Sequence, residues 1–199
     1  MVIEKSTDPA GFADLERNGW EQQIAGYDAG LGRVSRQTVQ ATLDAAEVRA
    51  GMRVLDLCCG PGMLAAAVTS WDIETADNGL GLIYGAVRTH ANLNVPLPHG
   101  PDVFQFSTRE RMGGALRESG FVDVRAVQFA QSWQVASGKE LLDAVYEGTV
   151  RTRAVLAAQD SEAIGKIIAA VERPFAAARG PDGHFEVPFP AVIGSGAKP

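Results

Sequence analysis

Apolar positions recur along this chain with two periods, and each change of period marks a change of element. An early helix carries Gly19-Trp20-Glu21 and Tyr27, and a second, from about Ser35, sets Val39, Leu43 and Ala46 on one face. Val54, Leu55 and Leu57 then form a short apolar run that reads as a strand buried on both faces. A helix is predicted over Leu80 to Asn92, and Ser107 to Glu110 has the S-x-x-E pattern of a capping box opening a helix that runs through Leu116 and ends near Gly120. Phe121 to Val135 alternates in part, with Val122, Val124, Ala126 and Gln128 opposed to Phe121, Val127 and Phe129, which predicts one long strand. A second capping box, Ser137 to Glu140, precedes Leu141, Leu142, Val145 and Tyr146 at helical spacing. Ile164, Ile167, Ile168 and Val171 mark a helix from about Ser161 that should stop at Pro174. The last apolar segment, Phe185 to Ile193, is broken by Pro188 and Pro190 and suits an edge or end strand.

The chemistry concentrates at Val54 to Gly62, which reads V-L-D-L-C-C-G-P-G. An apolar strand ending in an acidic residue and a glycine-rich turn is how a buried parallel strand hands over to a loop that admits a ligand. Gly60 and Gly62 carry no Cβ, so the backbone can turn sharply and its N–H groups can approach a ligand, while Pro61 stiffens the turn. Gly60 to Ala65 also fits the dinucleotide pattern G-x-G-x-x-G/A. That alternative needs a helix, a strand and an acidic ribose ligand about 20 residues on. Only ten positions separate Gly62 from Asp72, so the dinucleotide reading fails.

The strand followed by D-x-x-C-G-x-G resembles motif I of the class I S-adenosylmethionine-dependent methyltransferases, as found in bacterial small-molecule enzymes. The resemblance implies that Asp56, Cys58, Gly60 and Gly62 bind S-adenosylmethionine, with Cys59 beside them in the turn. Upstream, G-W-E, a tyrosine, and L-D-A-A-x-V-x-x-G-x-R-V-L-D-L are similar to the N-terminal part of that family, where early helices cap the cofactor pocket. Trp20 and Tyr27 are therefore lid candidates, and equally aromatics packed on the core. Downstream, Thr69-Ser70-Trp71, Gly79-Leu80-Gly81, Leu97 to Pro101 and Phe104 to Ser107 look like the segment after the family's fifth strand. Glu118 to Val124 resembles the helix end, glycine cap and sixth strand, and the closing segment matches an antiparallel seventh.

The resemblance implies an α/β, Rossmann-like class I methyltransferase fold that is incomplete, with N-terminal helices and a C-terminal strand pair. One domain spans residues 1–199: a helical cap at 1–50, a cofactor-loop remnant at 51–71 and the C-terminal half at 72–199. The family's ribose-binding, adenine-contacting and fourth-strand segments have no counterpart. At about 30 residues per βαβ unit, roughly two units are missing. Met63 to Ser70 is too short for a crossover, leaving a stub helix over Met63 to Val68 or a strand over Ala65 to Trp71. An apolar sheet edge beside the first strand is expected, open to partner recruitment or local disorder.

Two function classes follow. One is an S-adenosylmethionine-dependent methyltransferase acting on a small-molecule acceptor, with activity put in doubt by the missing strands. The other is a non-catalytic methyltransferase-like remnant acting through self-association or a protein partner. Losing two charge-assisted hydrogen bonds to the ribose would cost ~1.5–3 kcal/mol each, which moves a micromolar site toward millimolar unless a homodimer supplies the missing walls.

Composition narrows the partners. A chain of 199 residues with 46% hydrophobic content can bury one domain core. Its net charge of −6, without a Lys/Arg cluster, excludes an electrostatic nucleic-acid binder. No apolar run approaches the ~20 residues that span a bilayer and no signal-peptide core follows Met1, so a cytoplasmic protein without a membrane partner is expected. Adjacent Cys58 and Cys59 are poorly placed for a disulfide and too few for zinc, and no metal is expected. No catalytic residue is identified: His90, His99 and His184 are the histidines available as a base, and each also reads as a surface or packing residue. Asp72, Glu74 and Asp77 read as a solvated loop face.

Overall fold

The computed structural model describes residues 8–50, 68–74, 78–197 and 199. Helices α1 (Pro9–Ala29), α2 (Leu31–Ser35) and α3 (Val39–Ala45) precede strand β1 (Val68–Trp71). Helices α4 (Gly79–His90) and α5 (Arg109–Glu118) lead to strands β2 (Val122–Phe129) and β3 (Ser132–Val135). Helices α6 (Gly138–Gly148), α7 (Arg151–Ala157) and α8 (Ser161–Glu172) and strands β4 (Phe185–Pro188) and β5 (Ala191–Ala197) complete the order. The molecule is of mixed α/β class. Among the described residues the strands do not build a Rossmann-like parallel sheet, because every hydrogen-bonded pair is antiparallel. The strand expected at Val54 to Leu57 lies outside the described residues; of a stub helix over Met63 to Val68 or a strand over Ala65 to Trp71, the described part, Val68–Trp71, is strand β1.

One sheet has the order β1-β5-β2 and the other pairs β3 with β4. Since β5 is antiparallel to both neighbours, β1 and β2 run parallel to each other, and their last residues, Trp71 and Phe129, both stand opposite Ala191. The long strand expected over Phe121 to Val135 is therefore two strands in two sheets. Their register is nonetheless continuous: Phe129 faces Ala191, Ser132 faces Pro188, and between them the Phe189 N–H donates to the Gln131 carbonyl at 2.9 Å. Pro188 and Pro190 have no N–H to give, so regular pairing lapses at this point. The expectation of a terminal edge strand also needs correction. Phe185–Pro188 lies in a two-stranded sheet, but Ala191–Ala197 is the central strand of the other, which is possible because both prolines precede it.

Helix ends follow local chemistry with one shift. Thr108, not Ser107, caps α5 by accepting from the Arg111 N–H at 3.1 Å. The fully buried Ser107 instead shares a hydroxyl contact with Ser70 at 3.1 Å. At the far end Gly120 adopts φ +82°, and the Gly120 and Phe121 N–H groups reach Arg117 and Leu116 carbonyls, which closes the last turn. Ser137 caps α6 as expected, while Glu140 turns back to the Ala136 N–H at 2.7 Å. Helix α8 stops at Glu172, and Pro174 sits in a following 3-10 turn, Arg173–Ala178.

The core collects between these layers. Ile83 of α4, Leu141 and Val145 of α6, Ile167 of α8 and Val187 of β4 are all fully buried in one apolar cluster. Phe189, 1% exposed, meets the rings of Trp71 and Trp133 edge-on at 5.9 and 6.0 Å, so it joins the two sheets across their break. A smaller cluster of Met112, Leu116 and Val192 seats α5 on β5. No helix among the described residues is long and apolar enough to cross a membrane.

Helices α1 and α6 meet at Gly26, where an added Cβ would stand 2.3 Å from the Glu147 carbonyl oxygen. Gly26→Ala is therefore expected to push the helices apart and cost about 1–3 kcal/mol in urea unfolding. Gly85→Ala, with open space at the same position of α4, should instead raise stability by about 0.5–1 kcal/mol.

Candidate functional site

A half-open cavity of about 220 Å³ lies where α1, α2 and the turn after α2 cover the carboxyl end of β1. Its wall is made by Tyr27, Ser35, Thr38, Thr69, Ser70, Trp71, Gln131 and Ala191. Strand ends explain the grouping. Trp71 closes β1, Ala191 opens β5 opposite it, and Gln131 follows β2 by two residues. The cavity thus sits at the carboxyl end of β1 and just beyond that of β2, with the first residue of the antiparallel β5 between them.

The helical side presents hydroxyls held in place by the backbone. The Tyr27 hydroxyl lies 2.9 Å from Ser35 Oγ, which also reaches the Leu31 carbonyl at 3.2 Å. Thr38 Oγ1 donates to the Ser35 carbonyl at 2.7 Å. Trp20 meets Tyr27 edge-on at 5.8 Å and gives its indole N–H to Glu16 at 2.8 Å. Of the two lid candidates, Tyr27 therefore packs on the core and also lines the cavity, whereas Trp20 is 39% exposed and stands behind it.

Gln131 is the unusual member of the wall. Only 7% of it is exposed, and neither its amide nitrogen nor its amide oxygen has a hydrogen-bond partner. An unpaired buried polar group costs about 1–3 kcal/mol, so this carboxamide calls for a partner that the protein's own groups do not supply, a water or a ligand. The sequence held a weak signal for it, a polar residue inside the apolar stretch Phe129-Ala130-Gln131-Ser132-Trp133. Partial alternation absorbed it into a strand.

Among the described residues, the cavity wall holds no aspartate, glutamate, lysine, arginine or histidine. His90 ends α4, and His184 Nδ1 lies 3.2 Å from the Asp182 carbonyl in a turn. Neither they nor His99 belong to the wall. Asp72 departs from the expected solvated face. It is 1% exposed, its backbone N–H donates to the Pro190 carbonyl at 2.8 Å, and its carboxylate accepts from the Glu74 N–H at 2.6 Å and from Gln128. Those contacts tie the end of β1 to β2 and to the start of β5. Glu74 pairs with Arg109 at 3.2 Å on the surface, and Asp77 lies outside the described residues. No group of three metal-ligating side chains occurs among the described residues.

The residues assigned to S-adenosylmethionine, Asp56, Cys58, Gly60 and Gly62, lie outside the described residues. Their segment leaves the described chain after Ala50 and returns to it at Val68, the first residue of β1. Compared with known proteins, the chain matches no family model and no curated protein.

Two substitutions separate the roles of these polar groups. Asp72→Ala removes a structural tie and is expected to lower stability by about 1.5–3 kcal/mol. Gln131→Leu removes an unpaired amide and is expected to raise it by about 1–3 kcal/mol. Chemical unfolding of both variants against the parent checks the opposite signs.

Proposed function

We propose that the chain is an S-adenosylmethionine-dependent methyltransferase domain of incomplete Rossmann-like form, acting on a small-molecule acceptor held in the cavity beneath α1 and α2. The observation that carries this reading is the position of that cavity, at the joint carboxyl ends of β1 and β2 where they meet Ala191. Sequence supplies the cofactor half of the argument, because the segment bearing Asp56, Gly60 and Gly62 runs directly into β1. The antiparallel closing strand gives further support, since β5 follows the helices after β2 and returns between β1 and β2.

When bound, the cofactor supplies a sulfonium methyl, an activated donor that asks little of the protein beyond position. The residues of this chain do the positioning. Trp71 and Tyr27 offer ring surfaces, the Tyr27–Ser35 hydroxyl pair and Thr38 offer fixed polar contacts, and the overlying helices narrow access to water. With no carboxylate or imidazole among the described wall residues, the acceptor atom would be brought to the methyl by orientation rather than by a dedicated general base.

A second reading has its own observation. Val122 and Val127 are 46% and 50% exposed on β2, an outer strand of its sheet. An apolar edge strand is a template for pairing, which favours a non-catalytic domain that self-associates.

Calorimetric titration with S-adenosylmethionine and its demethylated product distinguishes the two. Binding that Asp56→Ala abolishes is the result expected of the methyltransferase. No heat up to millimolar ligand, together with a dimer in sedimentation, would overturn it in favour of the second reading.

A further inference from the structure

We propose that Gln131 determines the specificity of the cavity, turning its carboxamide onto the ligand, and that the ligand is a neutral planar ring bearing a hydrogen-bond donor and acceptor side by side, as a lactam does. This inference rests on the acceptor role given above to the cavity, and it names the class of acceptor.

Three observations converge on it. The first is the amide itself, which has one donor and one acceptor end, both shut from solvent and both unpaired, in a residue that forms part of the cavity wall. A change of staggered rotamer about the inner torsions of the glutamine brings the group to the ligand, and its soft terminal torsion then aligns the amide plane. A partner that satisfies both ends must itself offer an acceptor next to a donor. A lactam or amidine edge does this in one plane, which is how carboxamides read nucleobase edges.

The second is the absence of charge. The eight described wall residues are all neutral, so among them an ionic ligand would lose its hydration without finding a counter-charge. The third is size and shape. A space of about 220 Å³ is smaller than the pockets of ~300–1,000 Å³ that take drug-sized molecules, and Trp71 and Tyr27 are among the residues that line it. One or two fused rings suit it. Water can occupy the same space, but a ligand that displaces it gains only if it replaces the lost hydrogen bonds, which sharpens the preference for a donor–acceptor edge.

The test uses four probes of similar shape on the full chain, by calorimetry with and without the demethylated cofactor. These are 2-quinolone, its N-methyl derivative without the donor, naphthalene without either group, and quinoline-2-carboxylate with a charge. The parent protein is expected to bind 2-quinolone at least about tenfold more tightly than each of the others, the discrimination of roughly one well-placed hydrogen bond. Gln131→Leu should lose that preference while unfolding at no lower denaturant concentration than the parent, which shows that the loss is not one of folding. Equal affinity for quinolone and naphthalene, failure of all four to bind, or an unchanged preference in Gln131→Leu would each overturn the proposal. Lactam preference without any S-adenosylmethionine binding would leave the ligand assignment standing and remove the methyltransferase reading instead.

Discussion

The bond from the Phe189 amide to the Gln131 carbonyl holds two sheets in one register. On either side of it lie Pro188 and Pro190, neither able to donate, so the ladder between the β2–β3 and β4–β5 segments survives the break through this contact. Above it, β5 is free to become the central strand between β1 and β2. Below it, β3 and β4 form their own pair. The Phe189 side chain secures the same point from the apolar side by touching both Trp71 and Trp133. A slip of one residue here would reverse the faces of every strand that follows.

The cavity is a consequence of that break. Regular pairing ends at Ala191, which brings the carboxyl ends of β1 and β2 together and leaves Gln131 outside either ladder. The N-terminal helices then close over the gap with hydroxyls already bound to their own backbone, as the Ser35 and Thr38 contacts show. Asp72 stabilises the arrangement through Gln128 and the Pro190 carbonyl, so the carboxylate that follows Trp71 serves the frame. Among the described residues, the Gln131 amide beside this space is the buried side-chain group left without a partner from the chain.

Much of the local structure was legible in the chain, for reasons that are themselves local. Capping by Ser137, the stop near Pro174 and the turn at Gly120 depend on a few adjacent residues, and each occurs where its chemistry puts it. The cap of α5 moved by one because Ser107 is drawn into a buried contact with Ser70, a residue 37 positions away. Asp72 was misread for the same kind of reason: three nearby acids suggest a solvated loop until a distant glutamine claims one of them.

What the sequence determined by itself was the place of several helices with their caps and apolar faces, and the glycine-rich segment at Gly60 to Gly62 with its resemblance to a cofactor loop. Period, capping and turn chemistry act over a few residues, so they can be read from a string. What only the tertiary structure decided was that one apparent strand is two, that the proline-broken terminal segment supplies a central strand, and that Tyr27, Ser35, Thr38, Trp71 and Gln131 share one wall. Those outcomes depend on pairing between segments as far apart as Val68 and Gly194, and hydrogen-bond partners at that range leave no period in the chain that bears them.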